Sequence, residues 1–147
     1  RPRVLALRGA EGVEAGAAET LEFAGAEALP PPASAAAAAA LSPDWVIAAD
    51  DAFWVQARRD PDWQAVAAVR EGRLVRAPAL PFGWLGRPPS VNRLLGLLWL
   101  PVLFGLGDAA ALPERIAAAQ AALYHRQPAP EAVALLLREA LPGPRSR

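Results

Sequence analysis

The chain has no cysteine, no methionine and no lysine, and its only histidine is His125. Without cysteine there is no disulfide framework, and the redox compartment leaves no trace in the sequence. A chain with no thiol and one imidazole also lacks the side chains from which zinc and copper cages are built. Any metal it handles is expected to arrive already chelated or to be held by oxygen, and no resident metal or cofactor is expected. Charge of one sign is lacking as well, since 15 arginines balance 15 acids. The basic excess that neutralises phosphate is therefore absent, which argues against a nucleic-acid partner. The balance is uneven along the chain: residues 1 to 62 hold ten acids and five arginines, and the remainder holds five acids and ten arginines. Nor is there a long hydrophobic run. The stretch from Leu94 to Phe104, interrupted by Pro101, is about half of the roughly 20 residues that span a bilayer, so it is expected to be a buried helix. No basic-then-apolar leader opens the sequence; a leader removed, or a chain that begins inside a longer protein, would both give this start.

What is present fits one folded core. At 147 residues, 54% hydrophobic and 20% charged, the chain is long enough for one substantial domain. Val4 to Leu7 reads as a strand buried on both faces, as does Trp45 to Ala49. Leu74 to Ala77 is a third strand candidate. Between them, glycines 9, 12 and 16 mark a loop, and apolar spacing from Ala17 to Ala24 predicts a helix stopped by Gly25. Ser34 is placed to cap the alanine run Ala35 to Ala40, and Asp50-Asp51 to cap a helix containing Phe53, Trp54 and Val55. Further helices are expected over Asp62 to Val69, Ser90 to Phe104, Ala109 to His125 and Pro130 to Leu141, with a loose tail over 142–147. Strands alternating with helices imply a three-layer α/β domain, with a small parallel sheet flanked by helices and a helical carboxy-terminal part.

In open parallel sheets ligands sit beyond the carboxyl ends of the strands. That rule selects Arg8 after the first strand, Asp50 and Asp51 after the second, and Phe82, Trp84 and Arg87 after the third. Guanidinium groups and an indole in one crevice would suit an anionic or aromatic chelate. Plainer roles stand beside these: helix capping for the two aspartates, a lid over the core for Trp84, carbonyl or carboxylate pairing for the arginines. Trp45, Trp63 and Trp99 are expected in the core, and His125 near a helix carboxy-terminus. No Gly-x-Ser-x-Gly elbow, phosphate loop or metal-spaced histidine pair is found, so no catalytic residue is expected. A small hydrolase using one of the four serines with His125 is the weakest alternative.

The segment Pro81-Phe82-Gly83-Trp84-Leu85-Gly86-Arg87-Pro88-Pro89-Ser90-Val91-Asn92-Arg93-Leu94-Leu95-Gly96-Leu97-Leu98-Trp99-Leu100, with Leu7-Arg8-Gly9 through Gly12, Glu19 to Gly25, Ser42 to Ile47 and Asp62 to Leu74, resembles the class III periplasmic binding proteins for iron-siderophore, haem and cobalamin uptake. The resemblance covers residues 1–141 and corresponds to the carboxy-terminal one of the family's two lobes. It implies a periplasmic substrate-binding component of an ABC importer, peripheral to the membrane, that captures a metal chelate, an iron complex in the family's manner; the residues at the strand tips, Arg8, Asp50, Asp51, Trp84 and Arg87, are then the expected ligand-facing set. It further implies that Glu19 matches the surface glutamate that docks onto the permease. The alternative is a free-standing lobe that pairs with itself as an interaction module.

Overall fold

The computed structural model describes residues 1–9, 11–13 and 15–142; apart from Pro142, the expected tail lies outside the described residues. The strands are β1 (Arg3–Arg8), β2 (Glu11–Gly12), β3 (Glu27–Ala28), β4 (Trp45–Ala48) and β5 (Leu74–Arg76). The helices are α1 (Ala15–Phe23), α2 (Ala35–Leu41), α3 (Asp51–Arg59), α4 (Pro61–Gln64), α5 (Ala67–Arg70), α6 (Arg93–Leu103), α7 (Leu112–Tyr124) and α8 (Pro130–Arg138).

β1 lies at the centre because between its terminal arginines, Arg3 and Arg8, it has no polar residue to turn outward. Val4 and Ala6 enter one apolar cluster with residues of α1, α6, α7 and α8, while Leu5 and Leu7 enter a second with residues of α2 to α5. A strand buried on both faces needs helices on both, and the three-layer architecture follows. β4 pairs with β1 in parallel, Val4 opposite Trp45 through Leu7 opposite Ala48, and β5 continues the parallel ladder beside β4. The other edge of β1 is shared by β3, parallel at Arg3 and Val4, and β2, antiparallel at Leu7 and Arg8.

The sheet is thus mostly parallel, and the expected loop at glycines 9 to 16 contributes a short antiparallel arm. Gly9 at φ +57° turns the chain back, and a Cβ on Gly12 would come within 2.9 Å of Pro31. The triple proline can lie against the hairpin only because Gly12 has no side chain. The helix expected over Asp62 to Val69 is two short ones, because Val66 adopts an extended conformation (φ −69°, ψ 123°) and is fully buried. α7 starts at Leu112 and not Ala109, since the Asp108 carboxylate accepts from the amides of Ala110 (2.9 Å) and Ala111 (3.3 Å) and holds a turn there. α6 starts at Arg93 and not Ser90, and α8 ends at Arg138, short of Leu141. Among the described residues, no helix is long and apolar enough to cross a membrane.

Candidate functional site

β1, β4 and β5 are parallel, so their carboxyl ends lie together at one edge of the sheet. Arg8 is the last residue of β1 and is half-buried. A Cβ placed on the neighbouring Gly9 would lie 3.9 Å from Oδ2 of Asp50, which puts the end of β1 against the start of α3. Asp50 is the N-cap of α3, its Oδ1 accepting from the Phe53 amide at 2.9 Å. This satisfies one of the amides left unpaired at a helix start and fixes where the second carboxylate stands.

Asp51, whose side chain is 76% exposed, reaches from the first turn of α3 to the guanidinium of Arg76 at the tip of β5. Arg76 also donates to Glu139 Oε2 at 2.8 Å, and its amide donates to the Glu139 carbonyl at 2.7 Å. The hydrogen bond to Glu139, reinforced by the charge of Asp51, holds the guanidinium pKa above its ordinary value against the opposing effect of burial. Arg76 was not singled out in the sequence. A lone arginine ending a three-residue strand looks like any solvated arginine, and its partner Glu139 lies 63 positions away; only the strand-tip rule could have flagged it.

Trp84 requires a correction. The loop after β5 does not raise the indole over the strand tips but folds it down between the helices on one face of the sheet. Trp84 is 0% exposed and meets Trp99 edge to face at 6.5 Å between centroids. Its Nε1 donates to the Leu80 carbonyl at 3.0 Å and its amide to the Pro78 carbonyl at 3.0 Å, so the ring has no polar need left for a ligand. The hydroxyl of Thr20 in α1 donates to the Leu85 carbonyl at 3.2 Å, and Asn92 donates to the Gly83 carbonyl. Lid over the core is therefore the role Trp84 fills, and as a ligand wall it is withdrawn. Arg87 is exposed on the same loop, and its carbonyl accepts from the Gly83 amide at 2.9 Å. Phe82, also exposed, leans on Tyr124 at 6.0 Å between centroids. The structure thus sets the end of β1, which carries Arg8, beside Asp50 at the start of α3, joins Asp51 to Arg76, and buries Trp84 away from this edge.

Glu19 is exposed on α1, with Arg93 Nη1 3.8 Å from its carboxylate. Arg93 is itself anchored to the Gly16 carbonyl at 3.0 Å. Among the described residues, no three His, Asp or Glu side chains are grouped as a metal site.

No protein-family model and no curated protein matches the sequence. Solved structures do share the fold. An ABC transporter solute-binding protein from Sulfurospirillum deleyianum superposes with a TM-score of 0.81 at 20% identity, over 94% of this chain and 48% of that one. A periplasmic solute-binding protein from Veillonella parvula gives 0.71 at 16% identity, over 96% of this chain and 47% of its own. The chain therefore has the fold of one lobe of a solute-binding protein, and it spans about half the length of these structures.

Proposed function

We propose that this chain is a solute-binding lobe of an ABC importer, periplasmic and non-catalytic, which holds one side of a metal chelate, an iron complex being the favoured cargo. Delivery would go to a membrane permease docked at Glu19. One observation supports the reading: in a fold shared with solute-binding proteins, Arg8, Asp50, Asp51 and Arg76 all stand at or just beyond the carboxyl ends of the parallel strands, where such sheets take ligands. Arg87 on the following loop is the further cation offered to an anionic chelate. Guanidinium groups suit the task because their planar donors match carboxylate or hydroxamate oxygens in pairs.

One lobe presents one wall of a pocket, so binding by this chain is expected to be weak and fast. Titration with diamagnetic gallium(III) chelates, followed by amide shifts in nuclear magnetic resonance, is suited to that regime. Shifts should cluster at Arg8 and Gly9, Asp50 and Asp51, and Arg76 and Ala77, and should shrink in Arg87→Ala. Saturating chelate that moves no amide in these three segments, or moves only amides elsewhere, would sink the proposal.

A further inference from the structure

The outer faces of α1 and α6 enclose a groove of about 340 Å³ lined by Glu19, Phe23, Val91, Arg93, Leu94 and Leu97. Phe23, the last residue of α1, is 82% exposed, and Val91 and Leu94 are exposed beside it. A phenyl ring held in water next to an apolar groove is a surface without its cover.

The chemistry of this surface says what would fit. Its charge sums to zero, with one carboxylate, Glu19, and one guanidinium, Arg93, 3.8 Å apart. Glu22 on the same helix lines a separate groove beside Pro30 and Pro31. A basic partner would meet Arg93 and an acidic one Glu19, whereas a copy of the same surface meets each with its opposite. The shape has the same property, because the patch offers both a knob, Phe23, and a groove between Val91, Leu94 and Leu97. A patch that is complementary to itself in charge and in shape is what a two-fold interface requires. The internal pair gives up little, since it is long and solvent-exposed and Arg93 keeps its bond to Gly16.

We infer that the α1–α6 groove is the contact of a two-fold homodimer, in which Phe23 of each copy enters the groove of the other and Glu19 pairs with Arg93 across the axis. The inference does not depend on the transport reading. If both hold, self-association covers Glu19 and excludes permease docking at the same face, so the two states alternate.

Sedimentation velocity over a concentration series tests it. The wild-type chain should shift from monomer to dimer, and Phe23→Asp, at a site too exposed to disturb folding, should raise the dissociation constant at least ten-fold. Glu19→Arg and Arg93→Glu should each stay monomeric alone, because like charges then face each other across the axis, yet form a heterodimer when mixed. Mixing separates the intermolecular pairing from the internal ion pair, which each variant lacks. A concentration-independent monomer, a dimer indifferent to Phe23→Asp, or no heterodimer on mixing would overturn the inference.

Discussion

A small residue decides how the tryptophan loop closes. Gly96, on the second turn of α6, is buried, and a Cβ there would collide with the backbone carbonyl of Trp84 and come within 3.3 Å of Thr20 Cγ2. A backbone carbonyl cannot swing aside as a flexible side chain can, so the loop would have to lift. That would loosen the Trp84–Trp99 contact and the bond from Thr20 to Leu85 together. Gly96→Ala improves helix propensity by up to about 1 kcal/mol, yet overpacking of this kind costs about 1–3 kcal/mol. The net expectation is a lower urea midpoint with an unchanged slope, and a midpoint at or above wild type would show that the loop yields without cost. The indole itself misled at the sequence level for a related reason. Proline and glycine around Trp84 signal a surface loop, but loop backbone can be buried when it satisfies itself, here through Gly83 to Arg87 and Trp84 to Pro78.

At the scale of elements, the caps were legible and the short strands were not. Ser34 accepts from the Ala37 amide at 3.1 Å and Asp50 from that of Phe53, both where a capping residue precedes a helical run. β2 and β3 have two residues each, too few to show any alternation, and they exist because β1 offers them its free edge. The sequence offers one capping role for the two adjacent aspartates, and the structure separates them: Asp50 caps, and Asp51 reaches Arg76. Their removal should therefore differ. Asp50→Ala should cost about 1 kcal/mol of stability by leaving a helix-start amide unpaired. Asp51→Ala removes an exposed ion pair and should cost less, within about 0–1 kcal/mol. Chemical denaturation of the two variants side by side checks this; equal losses would mean that the cap does not anchor α3.

Across the whole molecule, the two apolar clusters are separated by the sheet and share no helix, so something must tie the layers at the strand tips. Arg76 does so. Its guanidinium meets Asp51 at the start of α3 on one side and Glu139 beyond α8 on the other, while its amide holds the Glu139 carbonyl. Trp99 reinforces the second attachment, its Nε1 donating to the Ala140 carbonyl at 2.7 Å. The sequence could place both helices but not this tie, because long-range ion pairs leave no periodic mark. The bridges are partly exposed and worth about 0–1 kcal/mol each, so global stability is a blunt readout and local opening is the sharper one. In Arg76→Met, the amides from Leu137 to Leu141 should exchange with solvent several-fold faster while those of β1 and β4 stay protected. Glu139→Gln should give a smaller effect in the same place, since the guanidinium keeps Asp51 and can still donate to a neutral amide oxygen, while the backbone bond from the Arg76 amide survives in both variants. If exchange rose equally throughout the sheet, Arg76 would be supporting the core and not fastening α8 to it; if it rose nowhere, Trp99 and the surviving backbone bond to the Glu139 carbonyl would be sufficient to hold the carboxy-terminal segment against the strand tips.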